Sequence, residues 1–181
     1  FESHEQFYNS LEPKPLGVIV VAGYMAEQKT CENDWSETLN TINVNFTGAV
    51  SILNIISNDM EQNKNGFIVG VSSVAGDRGR KANYIYGSAK AGFSAYLSGL
   101  RNRLYESGVK VLTVKPGFVN TKMTEHLDLS AKLTAESEDV ASDIYNAQQK
   151  GKDILYTKPI WRVIMMIIKI IPEWKFKGMS I

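Results

Sequence analysis

Cysteine is almost absent from this sequence. Cys31 is the only one among 181 residues, which excludes an intramolecular disulfide and a Cys-rich zinc site and fits a reducing, cytoplasmic compartment. His4 and His126 are the only histidines, too few soft ligands for a structural zinc, so no metal is expected. An excess of charge of either sign is also missing. With 20 basic and 19 acidic side chains the net charge is +1, so no overall field gathers nucleic acid. Residues 1–15 hold no basic stretch followed by an apolar run and therefore do not read as a signal peptide, and an initiator Met is absent as well. The Gly-x-Ser-x-Gly elbow of the hydrolases does not occur. No repeat, low-complexity tract or linker divides the chain, so residues 1–181 read as one domain ending in an apolar tail over 158–181.

What is present alternates between two periods. Residues 16–22 (LGVIVVA), preceded by Pro13 and Pro15 and closed by Gly23, predict a strand buried on both faces. From Asn33 to about Asn58 apolar residues recur at Trp35, Leu39, Ile42, Phe46, Val50, Leu53 and Ile56, which predicts a long helix with Asn33 or Asp34 as cap. Residues 66–71 predict a second strand, 74–83 a loop, and 84–105 a second long helix, with Ala89, Phe93, Tyr96, Leu97, Leu100 and Leu104 on one face. A third strand follows over 109–114, then a polar loop over 118–136, a short helix over 139–149 and a fourth strand over 153–156. Such alternation implies an α/β fold, a doubly wound parallel sheet of Rossmann type with right-handed crossovers. Ligands of such sheets sit beyond the carboxyl ends of the strands, here Ala22-Gly23, Ser72-Ser73 and Pro116-Gly117.

The chemistry lies near those ends. Tyr86 and Lys90 stand four apart on the second long helix, so phenol and ammonium share one face, and a nearby cation favours a phenolate. Ser73 stands thirteen residues before Tyr86 at a strand end, where its hydroxyl either caps a turn or meets the phenol over a carbonyl.

Val71-Ser72-Ser73-Val74-Ala75-Gly76, Tyr86-x-x-x-Lys90, Val44-Asn45-Phe46-Thr47-Gly48 and Pro116-Gly117-Phe118-Val119-Asn120-Thr121 occur in this order and strongly resemble the short-chain dehydrogenase/reductase family over about residues 15–157. The resemblance implies that Ser73 binds and polarises a substrate carbonyl and that Tyr86 is the acid or base. It implies that Lys90 lowers the Tyr86 pKa and binds the nicotinamide ribose, and that Asn45 holds a relay water through a local break in its helix. It further implies NAD or NADP as cofactor, with Ala22, Gly23, Asn45, Tyr86, Lys90, Pro116, Gly117, Val119 and Thr121 beside it. Val20-Val21 stand where the family carries two asparagines before Ala-Gly, which removes those side-chain contacts and leaves the backbone at Gly23. The family's glycine-rich turn is missing among the 14 glycines. Roughly 60 to 75 residues forming the first βαβ units are therefore expected upstream, and the residue that selects NAD or NADP with them.

The leading function is hydride transfer between a nicotinamide and a carbonyl or secondary alcohol. A non-catalytic interaction subunit retaining the fold is the alternative, and an epimerase or dehydratase of the same superfamily stands further off, since those relatives resemble longer chains beyond the Pro-Gly strand. Gly23-Tyr24-Met25, residues 73–80, 100–104 and 156–162 are similar to the keto-reductase branch acting on polyprenyl-phosphoryl-ribose, implying a lipid-linked or bulky polar substrate. The family pairs helices across two-fold axes, which implies a homodimer or homotetramer through 34–60 and 84–105. Asp77-Arg78-Gly79-Arg80-Lys81 is either a solvated loop or a rim that attracts phosphate. Residues 160–171 (IWRVIMMIIKII) predict a helix between Pro159 and Pro172, too short at about 18 Å to span a membrane of about 30 Å. It either covers the cleft or a neighbouring subunit, or lies on a membrane surface through 160–177 with Arg162, Lys169, Lys175 and Lys177.

Overall fold

The computed structural model describes residues 1–125 and 129–180. The loop reading for 126–128, and with it His126, lies outside the described residues. Four parallel strands make the sheet. β1 (Gly17–Val20), β2 (Phe67–Val71), β3 (Lys110–Lys115) and β6 (Ile154–Tyr156) lie in the order β1-β2-β3-β6. Val18 sits beside Ile68, Ile68 beside Val111 and Val114 beside Leu155. The two-residue strands β4 (Phe118–Val119) and β5 (Thr134–Ala135) pair separately, inside the segment expected to be loop.

Period two decides which side chains of β2 meet which helix. Ile68 faces α4 (Gly48–Asn63) and α5 (Tyr84–Leu104), in a core with Leu53, Ile56, Met60, Phe93, Leu97 and Leu104. Gly70 follows on that face because a Cβ there would meet Leu97 Cδ1 at 2.3 Å. Val69 faces the opposite way, with Leu112 and Val114, against Ala147 and Ile144 of α6 (Ser137–Gln149). Each of these fully buried aliphatic side chains contributes about 1.5–3 kcal/mol.

Two expectations need correction. β1 is not buried on both faces: Ile19 and Val21 are 53% and 66% exposed, because β1 is the end strand and no described helix covers that side of it. The apolar stripe of the first long helix also fails over its first half, where Trp35 is 71% exposed. Asp34 does cap α3 (Trp35–Ile42), accepting from the Ser36 N–H at 2.8 Å, after the short α2 (Gln28–Asn33). Between α3 and α4, however, Asn43–Thr47 form a π-turn. The extra residue in that turn rotates the faces, so the buried positions run Thr38, Thr41, Asn45, Ala49, Leu53, Ile56 and Met60. Among the described residues, Trp35–Asn63 is the one helix long and apolar enough to cross a membrane. Its later apolar stripe packs on the sheet.

At the amino end, α1 (His4–Ser10) packs on α4, with the Tyr8 hydroxyl donating to Asp59 at 2.8 Å. At the other end, α7 (Ile160–Ile170) and α8 (Glu173–Phe176) follow β6. Trp161, Met165 and Ile168 of α7 bury against Val74, while Ile160, Val163, Met166, Ile167 and Ile170 remain exposed.

Candidate active site

The carboxyl ends of β1, β2 and β3 open into one cleft of about 640 Å³, lined by Gly23, Ser73, Tyr86, Lys90, Pro116 and Thr121 among others. Ala22, Gly117 and Val119 line it too, so the strand ends singled out in the sequence do converge. Asn45 lies just behind the wall.

Just past β2, Ser73 is in extended backbone and opens a 3-10 turn, Val74–Asp77, in which its hydroxyl accepts from the Ala75 N–H at 3.1 Å. That turn presses on α5. A Cβ at Gly76 would lie 2.7 Å from the Ala91 nitrogen, and one at Gly87 would lie 2.9 Å from the Ala75 carbonyl. Two glycines thus permit the close approach that brings Ser73 to Tyr86. The adjoining Ser72 faces inward and is structural, donating to the Lys90 carbonyl at 2.9 Å.

Burial is the largest influence on the Tyr86 phenol and pushes its pKa above the ordinary 10.0, while the Ser73 hydroxyl partly offsets this. Lys90 does not bring it down. Its Nζ is 5.9 Å from the Tyr86 ring centre and donates to the carbonyls of Val71 at 3.0 Å and Ala22 at 3.3 Å. Lys90 is 3% exposed, and burial lowers its pKa from 10.5 to about 8. Desolvation therefore dominates both groups, because it disfavours the phenolate and the ammonium alike.

Asn45 sits inside the π-turn, the local helix break that was expected. Its amide Nδ2 donates to the carbonyls of Tyr24 at 2.5 Å and Thr41 at 2.8 Å, and its Oδ1 accepts from the Tyr24 N–H at 3.3 Å. The amide thereby fixes the turn after Gly23. A Cβ on Gly23 would sit 3.5 Å from Met123 Cε, 3.7 Å from Asn45 Oδ1 and 3.9 Å from Lys90 Nζ, so the bare glycine leaves a cradle between these groups. Thr121 is exposed at the rim, beside a turn in which the Thr124 hydroxyl donates to the Val119 carbonyl at 2.5 Å.

The basic loop divides. Asp77, its side chain 2% exposed, pairs with Lys115 and accepts from the Tyr156 hydroxyl at 2.7 Å. Burial, then Asp77, raises the Tyr156 pKa. Arg78 turns away to the carboxyl end of α7, donating to the carbonyls of Ile168 at 2.7 Å and Ile171 at 2.6 Å, with Glu173 at 2.8 Å and the Phe176 ring centre 3.8 Å away. Arg80 lines the cleft, and Lys81 is exposed. Motif reading also missed Trp161, whose indole donates to the Leu133 carbonyl at 3.0 Å and packs where a Gly117 Cβ would stand. The tail helix therefore covers part of the cleft, one of the two placements expected for it.

The sequence profile of the short chain dehydrogenase family matches residues 9–132. The chain belongs to that family. This short-chain dehydrogenase is 34% identical over 169 residues to an uncharacterised oxidoreductase of Mycobacterium tuberculosis, a match covering 93% of the chain and 68% of the relative. An uncharacterised oxidoreductase of Streptomyces coelicolor is 30% identical over 164 residues, 91% of the chain and 64% of that protein. Among solved structures, a short chain dehydrogenase from Burkholderia cenocepacia in complex with NADP superposes with a TM-score of 0.83 at 19% identity, covering 93% of this chain and 72% of that one. One from Sphingobium yanoikuyae in complex with NADPH gives 0.78 at 18% identity over 95% and 71% of the two chains. These likenesses establish a Rossmann-type fold for an oxidoreductase family member.

Proposed function

We propose that the chain carries the catalytic half of an NAD(P)-dependent oxidoreductase that reduces a carbonyl compound to a secondary alcohol, with Tyr86 as the proton donor. The meeting of the Ser73 and Tyr86 hydroxyls at the end of β2, with the Lys90 ammonium beneath them, carries this reading. A substrate carbonyl oxygen set between the two hydroxyls accepts a hydrogen bond from each, which draws charge from the carbonyl carbon. A bound nicotinamide supplies the hydride in this chemistry. As the new C–H bond forms, the oxygen gains charge and takes the phenol proton, leaving a phenolate that Lys90 faces and that regains its proton from solvent. The raised pKa of Tyr86 suits this direction, because the phenol remains protonated at neutral pH.

The cradle at Gly23 fits the nicotinamide end of such a cofactor. Gly23 offers close backbone approach, Lys90 a buried cation, Pro116 to Val119 a backbone wall, and Thr121 a hydroxyl at the rim. Asn45 positions that cradle through Tyr24. A mostly apolar lining, including Val71, Phe118 and Trp161, excludes water from the reacting carbonyl.

The test is Tyr86→Phe in the full-length protein, assayed with both nicotinamides against a carbonyl panel. Reduction is expected to fall by about 10² to 10⁴-fold, the range for a general acid, with cofactor binding retained. Turnover equal to wild type would overturn the assignment.

A further inference from the structure

The cleft holds one charged group without a counterpart among the described residues. Among the described residues lining it, Arg80 and Lys90 are the only charged side chains, and no carboxylate faces in. Lys90 is engaged by the Val71 and Ala22 carbonyls. Arg80 forms no ion pair within 4.0 Å, and its Nε is buried with no hydrogen-bond partner among the described residues. Asp77, three residues away, favours its charge from a distance but forms no ion pair with it, its two oxygens accepting instead from Lys115 and Tyr156.

Asn83 repeats the pattern with an amide. It stands at the N-cap of α5, where an Asn side chain ordinarily accepts from the first turn. Here no side-chain cap bond forms, and Oδ1 is buried without a partner among the described residues. The backbone holds both residues in place: the Asn83 N–H donates to the Arg80 carbonyl at 3.1 Å and the Gly87 N–H to the Asn83 carbonyl at 2.8 Å. One turn, lying in the chain between Ser73 and Tyr86, thus sets a guanidinium and an amide side chain in the wall of the same cleft.

A buried cation or amide without a partner is unfavourable, and a partner from outside relieves it. Two cations with no carboxylate among the described lining residues of a mainly apolar cleft also raise the local concentration of anions. We infer that Arg80 and Asn83 form a substrate subsite for an oxyanion, a carboxylate or phosphate ester on the carbonyl compound, with the terminal guanidinium nitrogens of Arg80 and the amide Nδ2 of Asn83 donating to it. The inference rests on the reading of this cleft as a carbonyl-reducing site. It makes the substrate an acid or a phosphorylated polyol rather than a plain ketone. Arg78, by contrast, is held by the tail and takes no part.

Calorimetric titration tests the subsite without turnover. Malonate and inorganic phosphate serve as probes on full-length wild type, Arg80→Met and Asn83→Asp, each first shown by its melting curve to be folded. The wild type is expected to bind at least one probe, and whichever binds names the source of the oxyanion. Arg80→Met should weaken that binding by about 10- to 100-fold, the range of a charge-assisted hydrogen bond. Asn83→Asp, isosteric and suited to a helix N-cap, should weaken it as well by repulsion. Failure of the wild type to bind either probe, or unchanged binding in Arg80→Met, overturns the subsite. So does a tenfold loss of NADP or NAD binding in Arg80→Met with probe binding intact, which makes Arg80 a cofactor ligand. Arg80-dependent probe binding in a protein that reduces no carbonyl leaves the subsite standing and removes the reductase reading instead.

Discussion

Lys90 is the residue whose state depends most on what surrounds it. In the unfolded chain it is an ordinary lysine near 10.5, whereas the fold holds it at about 8 by burial. Between those values the unfolded chain binds more protons than the folded one, so this residue's contribution to stability rises with pH across that window. At neutral pH the fold carries a desolvated ammonium that two backbone carbonyls only partly compensate. Lys90→Met deletes that pH dependence. Melting both proteins without ligand at about pH 7 and about pH 9.5 is expected to move the difference in Tm in the wild type's favour at the higher pH. Parallel behaviour of the two would show that Lys90 titrates normally in the fold. Sequence reading put Tyr86 and Lys90 on one helix face and placed both at the cleft. The desolvation that dominates them was not legible, because it depends on walls supplied by β1, β2 and the turn after Ser73.

Among elements, α7 and α8 differ most from a core helix. One face of α7 is committed to Val74 and the cleft. The other exposes five aliphatic or Met side chains, and Trp174 of α8 is 75% exposed. Arg162, Lys169, Lys175 and Lys177 accompany that surface, and Glu173, the one acidic residue between 154 and 180, is bound to Arg78. A two-fold copy would set basic against basic there, whereas an anionic bilayer answers both the apolar stripe and the charge. Full-length protein is therefore expected to sediment with vesicles containing anionic phospholipid and not with purely zwitterionic ones. Ile170→Glu together with Trp174→Glu should abolish the binding. Equal, negligible sedimentation of both proteins eliminates the membrane reading, and a fall in molecular mass on substitution assigns the face to a second copy. The order of the four sheet strands and of the helices α4 to α7 among them was legible from periodicity, as was the stop of the tail helix at Pro172, whereas the short α1, α2 and α8 and the strands β4 and β5 were not. Periodicity did not show the π-turn, since one inserted residue leaves the composition of a helix unchanged while rotating everything before it; the break at Asn45 was implied by the family resemblance alone. Nor was the division of the basic loop legible, because Arg78 finds its partners about ninety residues away.

For the whole molecule, the distribution of exposed apolar surface decides how copies meet. Pairing through the long helices, as the family likeness implies for residues 34–60 and 84–105, is isologous and closes at two or four copies. Light scattering of the full-length protein is expected to give such a discrete mass, unchanged over a tenfold dilution in the micromolar range. A strict monomer would overturn it.

Among the described residues β1 has a neighbour on one side only, and the face of Ile19 and Val21 is open, at 53% and 66% exposure. A free edge of N–H and C=O groups beside aliphatic side chains is a template for further strands, and strand addition has no built-in stopping point. Residues 1–181 produced alone are therefore expected to grow into amyloid-like aggregates whose thioflavin fluorescence rises with concentration, and a lysine at Ile19 should delay that growth. The same edge that places Gly23 in the cleft makes the fate of this chain in solution depend on whether another strand reaches β1 before a second copy does.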